Sequence, residues 1–150
     1  MTISVKLKWL NNGKGLNLPM YQTVGAACMD VCAAIDEGEC LILSPKETVV
    51  IPLGFAVAIP EGYEIQVRSR SGLAAKSGIH VLNAPGTVDC DYRGEMKVIL
   101  HNTSDEPFYI VRGDRIAQML VSPVYRMSLH EVEDLDDTAR GSGGFGSTGV

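Results

Sequence analysis

Residues 48–59 read TVVIPLGFAVAI, two apolar segments rich in β-branched residues with Pro-Leu-Gly between them. Val and Ile favour strands, whereas Pro and Gly interrupt regular structure, so the stretch predicts two strands, at 48–51 and 55–59, joined by a turn. Neither segment is long enough for an ordinary helix. We therefore expect the chain to build its core from short strands.

The same pattern continues on both sides of this stretch. Sixteen glycines and seven prolines divide the 150 residues into segments too short and too β-branched for long helices. Further strands are predicted at 5–9, 64–68, 96–101, 108–111 and 116–121. The exception is SGLAAKSG at 71–78, where helix formers lie between a Ser and a Gly that are typical of a helix start and end. We expect an all-β, jelly-roll-like barrel or sandwich with one short helix, a class that often protects its edges by closure or oligomerisation.

The composition limits the kinds of protein that this chain can be. Hydrophobic residues make up 45% and charged residues 21%, the balance of a globular protein, and 150 residues leave room for one domain. The net charge is −5 without a Lys/Arg block, so nucleic acid is not an expected partner. An acidic protein can still bind a nucleoside triphosphate where a few Arg residues, backbone N–H groups and a metal ion converge.

Localisation and redox state are indicated by the N-terminus and the cysteines. Residues 1–10 alternate lysines with apolar residues and lack the continuous apolar stretch of a signal peptide or membrane-spanning helix. They predict a strand in a soluble, cytoplasmic protein with no membrane partner. The four cysteines form no CxxC pair and are expected to be reduced. The three histidines lack metal-ligand spacing, so a protein metal cage is not expected.

The last twenty residues differ from the rest of the chain. Residues 131–137 hold five acids, and residues 140–149 read RGSGGFGSTG. Such a composition cannot form a core, so we divide the chain into a β-barrel domain at 1–130 and an acidic linker with a glycine-rich tail at 131–150. The tail is either a disordered appendage or an arm that orders on a ligand, with Phe145 stacked on a base.

One short segment could help to bind an anion, and a second carries a lone carboxylate. Arg70, Ser71 and Gly72 lie where a strand leads into the predicted helix, so backbone N–H groups, a hydroxyl and a guanidinium can point at one phosphate. An ordinary capped turn is the alternative for these three residues. Asp30 lies at the entry to an apolar strand, where a turn or edge residue is the ordinary interpretation.

Residues 83–95, NAPGTVDCDYRGE, have the pattern of a turn-rich hairpin that carries two carboxylates and an aromatic ring. Side chains alternate along an extended segment, so Asp89 and Asp91 are expected on one face, where one could act as a base while its neighbour or Arg93 tunes it. A solvated hairpin tip with Asp in turn positions explains the segment equally well.

Residues 112–119, RGDRIAQM, begin as a turn and end as a strand. Alternation predicts Arg115, Ala117 and Met119 on one face and directs Gln118 inward with Ile116. A buried amide needs a hydrogen-bond partner, either a backbone carbonyl or a ligand.

Five motifs, in this order, make the chain resemble the trimeric dUTPase family from end to end. They are AACMDV (26–31), RSGL (70–73), GTVDCDYRGE (86–95), RGDRIAQ (112–118) and RGSGGFGSTG (140–149). Ser69 departs from the Pro of many relatives, and Cys28 and Cys90 fill positions that vary. The resemblance implies a jelly-roll-like subunit that forms a homotrimer with active sites at the subunit interfaces. It also implies hydrolysis of dUTP to dUMP and pyrophosphate, which keeps uracil out of DNA and supplies dUMP for thymidylate synthesis.

The resemblance also implies a role for each matching residue. Asp89 would activate the water that attacks the α-phosphorus, and Asp30 would orient Mg²⁺ on the triphosphate through water. Tyr92 would stack under the deoxyribose and leave no space for a 2′-hydroxyl. The residues assigned to the phosphates are Arg70, Ser71, Gly72, Gln118 and, in the tail of another subunit, Arg140, Ser147 and Thr148. Those assigned to the uracil are Asn83, Thr87, Val88, Lys97 and, in the tail, Phe145. Gly146, beside Phe145, is also assigned to the substrate.

Two other functions compete with this interpretation. A dCTP deaminase would share the trimeric fold but needs a catalytic Glu and a different hairpin, so Asp89 and the Phe145 tail favour a dUTPase. A non-catalytic nucleotide-binding trimer would keep the pocket without turnover, and the intact Asp89 argues against it.

Overall fold

The structure, a computed structural model, describes residues 2–147. These residues form twelve strands, one α-helix and a short 3₁₀ helix at Asn11–Gly13. The strands are β1 Lys6–Trp9, β2 Met20–Tyr21, β3 Met29–Cys32, β4 Cys40–Leu43, β5 Thr48–Pro52, β6 Phe55–Ala58, β7 Tyr63–Arg68, β8 Ile79–Val81, β9 Gly86–Val88, β10 Lys97–Asn102, β11 Phe108–Val111 and β12 Arg115–Pro123, and the helix α1 is Ser71–Ser77. Within residues 2–147, no helix combines the length and the apolar character needed to cross a membrane.

Every strand predicted from the sequence is present, with ends that shift by at most two residues. The pattern missed β2, β4, β8 and β9, which are two to four residues long, and it gave no bounds for β3, the strand that carries Asp30. Segments this short have too weak a local preference to be recognised, because pairing and packing decide whether they become strands.

The strands pair in an antiparallel manner and enclose an apolar core. The largest sheet has the order β2-β3-β12-β7-β9, and the smaller ones are β5-β10-β8, β1-β6 and β4-β11. Leu43, Ile51, Phe55, Leu100 and Ile110 are each at most 1% exposed. Burying a side chain of this size contributes about 1.5–3 kcal/mol, so the core lies in these strands and not in the helix. The expected mainly β fold with one short helix is confirmed.

The short helix ends as predicted but starts differently. Gly78 takes a left-handed conformation (φ 66°) and its N–H donates to the carbonyl of Ala74 at 3.2 Å, a glycine C-cap. Ser71 was expected to cap the start, yet it is the first helical residue, the capping position is Arg70, and there is no side-chain cap hydrogen bond. The exposed Ser71 hydroxyl is therefore not used by the helix itself.

The turn between β5 and β6 packs closely on the 3₁₀ helix. A Cβ placed on Gly13 would overlap the backbone carbonyl of Gly54, and Gly54 itself has φ 74°, a conformation that favours glycine. Leu10 N–H also donates to the Gly54 carbonyl at 2.8 Å. This contact holds the N-terminal turn against the end of the barrel that carries the β9–β10 hairpin.

Candidate active site

The hairpin between β9 and β10 forms one wall of a cavity of about 280 Å³, which we call the hairpin pocket. β9 pairs with β7 and β10 pairs with β5, so these two strands belong to different sheets and do not pair with each other. The predicted hairpin is therefore a loop that joins two sheets, and we keep the name hairpin for residues 83–95. Six of the residues predicted to bind substrate line it: Asn83, Thr87, Val88, Asp89, Tyr92 and Lys97. Val50 and Ile99 add apolar surface. The pocket thus combines an apolar wall with a few polar groups, as small-molecule sites usually do.

The segment that follows β9 is a turn and not an extended strand. The Tyr92 N–H donates to the Asp89 carbonyl at 3.2 Å, so the extended geometry from which Asp89 and Asp91 were expected on one face is absent. Asp89 and Asp91 both border a hollow beside Glu64, but only Asp89 also borders the hairpin pocket. A turn changes the direction of each side chain, which ends the alternation on which the prediction depended.

Arg93 braces this turn. Its guanidinium donates to the carbonyls of Cys90 at 2.7 Å and Tyr92 at 2.8 Å. In the described part of the chain, the Arg93 side chain hydrogen-bonds to the backbone of the turn and not to Asp89 or Asp91.

Tyr92 closes one side of the pocket. Its hydroxyl donates to the Glu95 carbonyl at 3.0 Å, and its ring lies over Gly94, where a Cβ would overlap the phenol. The ring is 44% exposed. One face is therefore held by the chain while the other remains free for a ligand.

Asp30 lies at the centre of a second group of polar residues. Its Oδ1 is 3.3 Å from Arg70 Nε and its Oδ2 is 3.1 Å from Arg115 Nη1, although the carboxylate side chain is only 12% exposed. Arg70 also donates to the Arg115 carbonyl at 2.7 Å. We call Asp30, Arg70, Arg115 and Gln118 the Asp30 cluster. The cluster places two guanidinium groups beside one carboxylate, so it keeps a net positive charge that can bind an anion.

Gln118 joins this cluster through strand pairing. It lies opposite Asp30 on β3 and opposite Arg68 on β7, and its amide donates to the Ser69 carbonyl at 2.8 Å. The prediction that Gln118 points inward with Ile116 is wrong, since a bulge between Arg115 and Ala117 interrupts the alternation. Ile116 and Ala117 are both buried, and Gln118 is only half-buried. Of the two partners considered for its amide, a backbone carbonyl or a ligand, the structure shows the backbone carbonyl of Ser69.

Arg115 had no expected role in the site. Regular alternation grouped its side chain with those of Ala117 and Met119, which are buried. The bulge instead turns Arg115 toward Asp30. A bulge of this kind depends on the partner strand, so nothing in the local pattern could have indicated the pair.

Within one chain, Asp89 at the rim of the hairpin pocket lies far from Asp30. Asp30 on β3 and Asp89 after β9 are separated by β12 and β7, three strand spacings or about 14 Å. Asp30 and Arg68 both lie opposite Gln118, so Asp30 is level with Arg68 along the strands. Asp89 follows Val88, which pairs with Ile65, so Asp89 is level with the residue before Ile65. The two aspartates are therefore also offset by four residues, or about 13 Å, along the strands. The resulting separation is roughly 20 Å. The structure therefore does not bring all of the predicted site residues together.

The tail lies apart from both groups. Arg140 Nε donates to the Gly143 carbonyl at 2.8 Å, and Ser147 N–H donates to that of Gly144 at 3.0 Å. All hydrogen bonds of residues 131–147 join residues within this segment. Phe145 is fully exposed. Gly146 follows Phe145 with φ 87°, and Thr148 lies outside the described residues.

The cysteines are free thiols, as expected. Burial raises the pKa of the Cys32 thiol above its ordinary value, although the neighbouring Arg115 guanidinium acts in the opposite direction. Cys32 is thus mostly protonated at neutral pH and is a poor nucleophile. In the described part of the chain, no three His, Cys, Asp or Glu residues group closely enough to hold a metal ion by themselves.

Comparison with known proteins gives a consistent result. The dUTPase family model matches residues 15–149. A deoxyuridine 5'-triphosphate nucleotidohydrolase of Rhizobium rhizogenes is 57% identical over 141 residues, 94% of this chain and 90% of the relative. A dUTPase variant of Staphylococcus bacteriophage 80alpha with dUpNHpp has a TM-score of 0.85 at 28% identity, over 99% of this chain and 100% of the other. A dUTPase variant from phage phi11 of S. aureus, with a coordinated structural Mg(II) ion, has a TM-score of 0.77 at 23% identity, over 89% and 99% of the two chains.

These similarities are not confined to one motif or one element. The matched residues include the Asp30 cluster, the hairpin pocket and most of the tail. Identity of 57% along nearly the whole chain agrees with the order of the five motifs. The relationship inferred from those motifs is confirmed, and the chain belongs to the dUTPase family.

Proposed function

We propose that the chain hydrolyses dUTP to dUMP and pyrophosphate in sites that three copies of the chain build together. The main support is the separation of roughly 20 Å between Asp89 and Asp30 within one chain. A base at the α-phosphorus and the groups that bind the same triphosphate must lie much closer than that. One copy therefore supplies the hairpin pocket and a neighbouring copy supplies the Asp30 cluster. The reaction keeps uracil out of DNA and provides dUMP for thymidylate synthesis.

The hairpin pocket binds the uracil. Asn83 and the backbone at Thr87 and Val88 hydrogen-bond to the edge of the base, with Lys97 nearby. The apolar wall leaves little room for the 5-methyl group of thymine, and polar groups matched to uracil would be left unpaired by cytosine. The pocket thus selects uracil over thymine by its shape and over cytosine by its hydrogen bonds.

Asp89 acts as the general base at the rim of this pocket. It is exposed at the end of β9, where its carboxylate can take a proton from a water molecule beside the bound nucleotide. The water oxygen forms a bond to the α-phosphorus, the bond from that phosphorus to the bridging oxygen breaks, and pyrophosphate leaves. The ring of Tyr92 stacks under the deoxyribose and excludes a 2′-hydroxyl.

The Asp30 cluster of a neighbouring copy binds the α- and β-phosphates. Arg70 and Gln118 supply side-chain donors, and Ser71 with Gly72 supplies a hydroxyl and the N–H groups of the first helical turn. Arg70 is already oriented by Asp30, and Gln118 by the Ser69 carbonyl. Donors fixed in advance stabilise developing charge without reorganisation in the transition state.

The residues of the Asp30 cluster fit a magnesium ion that is held indirectly. Both oxygens of Asp30 already face a guanidinium, yet each keeps a further lone pair that can accept from a metal-bound water. Mg²⁺ retains several waters and binds triphosphate oxygens, so an outer-sphere role for Asp30 agrees with its chemistry. When bound with the substrate, the ion neutralises triphosphate charge. The structural Mg(II) ion of the phi11 phage relative is in keeping with a role for this metal.

The tail completes the site as a lid from another copy. Residues 131–150 form a unit separate from the barrel at 1–130, in line with hydrogen bonds that stay within the segment. On a bound nucleotide, Phe145 stacks on the uracil and Gly146 lets the backbone approach. Arg140, Ser147 and Thr148 hydrogen-bond to the β- and γ-phosphates. Closure of such a lid excludes water and holds the substrate.

Mixing two inactive variants tests the shared site. Asp89→Asn removes the base and Arg70→Ala removes a phosphate ligand, and each variant alone is expected to be nearly inactive. Co-expressed in equal amounts, they should recover about one quarter of the wild-type activity, because an intact site needs the right variant at two particular neighbours. Size-exclusion chromatography with light scattering should give the mass of three chains.

Three results would contradict the proposal. Mixed trimers without recovered activity would mean that one chain contributes both groups to a site. A fully active monomer would mean the same. Ammonia release from dCTP, without pyrophosphate release from dUTP, would identify a deaminase on the same fold.

A further inference from the structure

We propose that Glu95 and Asn12 form a clamp that positions Tyr92 and thereby sets the preference for deoxyribose over ribose. The inference rests on the role proposed above for Tyr92 in excluding a 2′-hydroxyl. Neither Glu95 nor Asn12 needs to touch the reacting atoms, so both are positioning residues.

The carboxylate of Glu95 holds the base of the hairpin. Its Oε1 accepts from Asn12 Nδ2 at 2.6 Å and from the Gly54 N–H at 3.1 Å. Glu95 is half-buried and borders the hairpin pocket. One oxygen therefore links the hairpin to the 3₁₀ helix and to the turn between β5 and β6.

Asn12 is itself fixed by the guanidinium of Arg112, which lies 100 positions later in the chain. Arg112 Nη1 donates to the carbonyls of Asn12 at 2.7 Å and Ile35 at 2.9 Å, and its Nη2 donates to that of Lys14 at 2.8 Å. Three carbonyls from two segments thus meet at one planar group, whose five donors form a rigid fork. This anchor makes the 3₁₀ helix a fixed support for Glu95.

Glu95 transmits this support to Tyr92 through its own backbone. The Tyr92 hydroxyl donates to the Glu95 carbonyl at 3.0 Å, and the next residue, Met96, is fixed by its N–H to the Phe55 carbonyl at 2.8 Å. Gly94 has no side chain and lets the ring lie flat against the hairpin. The position of the ring is therefore set by the same residue whose carboxylate is clamped.

A small movement of this ring matters because the pocket discriminates by contact. A 2′-hydroxyl differs from hydrogen by one oxygen atom, and a displacement of about 1 Å can change a rate by as much as a hundredfold. Loosening the clamp would admit the extra oxygen, so the rate with UTP should rise relative to that with dUTP. Loss of structure alone would lower both rates together.

The experiment compares kcat/KM for dUTP and for UTP in matched variants of the full chain. Glu95→Ala and Asn12→Ala remove the clamp, and each should lower the dUTP-to-UTP ratio about tenfold. Glu95→Gln keeps an oxygen that can accept both hydrogen bonds and should stay near the wild-type ratio. Asn11→Ala, an exposed neighbour in the same turn, is the control and should leave the ratio unchanged.

Tyr92 variants separate this inference from the proposed function. Tyr92→Phe keeps the ring but loses the bond to the Glu95 carbonyl, so it should match Glu95→Ala, and the double variant should show no further loss. If Tyr92→Ala leaves the ratio unchanged, the proposed role of Tyr92 is wrong and the inference falls with it. If Tyr92→Ala changes the ratio but neither Glu95→Ala nor Asn12→Ala does, the clamp alone is refuted. Should Glu95→Ala not fold, Asn12→Ala and Tyr92→Phe decide the question.

Discussion

Asp89→Asn removes the proposed base while keeping the shape of its side chain in the hairpin pocket. Asp89 is exposed after β9, and within residues 2–147 its carboxylate takes part in none of the ion pairs or side-chain hydrogen bonds. A surface change of this kind alters the free energy of unfolding by about 0.5 kcal/mol at most. Loss of a positioned base lowers a rate by roughly 10²–10⁴, equivalent to about 2.7–5.4 kcal/mol of activation free energy. The effect on catalysis should therefore greatly exceed the effect on stability.

Asp91→Asn is the matched control for this variant. Asp91 belongs to the same turn and is also exposed, but it borders the hollow on the other side of Asp89 and not the hairpin pocket. Its replacement should keep turnover within about twofold of wild type, because a group outside the pocket cannot reach the water at the α-phosphorus. The pair of variants thus separates the general effect of removing one acid from the loss of the base.

Three measurements on each variant decide the outcome. Single-turnover pyrophosphate release gives the chemical step, calorimetry with dUpNHpp gives nucleotide binding, and urea unfolding gives stability. We expect Asp89→Asn to bind the analogue within a few-fold of wild type while releasing pyrophosphate at least about a hundredfold more slowly. Turnover within threefold of wild type in Asp89→Asn, or an equal loss in Asp91→Asn, would refute the assignment of the base.

Three further predictions follow from the structure. Deleting residues 140–150 should lower turnover roughly a hundredfold and leave the trimer intact in light scattering, because the tail is proposed as a lid; dissociation would instead give it a structural role. Gly54→Ala should lower the free energy of unfolding by about 3 kcal/mol in urea, because its positive φ and the adjacent Gly13 backbone leave no room for a Cβ, and an unchanged midpoint would contradict this packing. Iodoacetamide at neutral pH should modify the exposed Cys40 about tenfold faster than Cys32, whose raised pKa keeps it protonated; equal rates by mass spectrometry would oppose that reasoning.

The strands could be predicted because their signal is local. Runs such as 48–51 and 55–59 combine β-branched residues with a Pro or Gly at their ends, and neither feature depends on distant parts of the chain. The glycine that ends the helix, Gly78, is likewise recognised from its own conformational freedom. β9 was not predicted because its three residues become a strand only through pairing with β7.

The types of chemistry could also be predicted from the residues. The resemblance to the dUTPase family implied that Asn83, Asp89 and Lys97 act at one site, and the structure lines one cavity with all three. The roles of Asp89 and Asp91 relative to each other could not be predicted, since a turn at Asp89–Tyr92 replaces the extended geometry. The predicted direction of the Gln118 side chain was wrong for a similar reason, because a bulge depends on the neighbouring strand.

By itself, the sequence determined the mainly β class, the positions of the longer strands and the residues that carry chemistry, because these follow from local preference and functional groups. Only the tertiary structure decided which of these residues meet. Arg115 reaches Asp30 across 85 positions, and Asn12 reaches Glu95 across 83. Such contacts depend on how strands pair and how turns pack, and no local pattern encodes them. The same geometry keeps Asp89 and the Asp30 cluster apart within one chain, which leads to a site shared between copies.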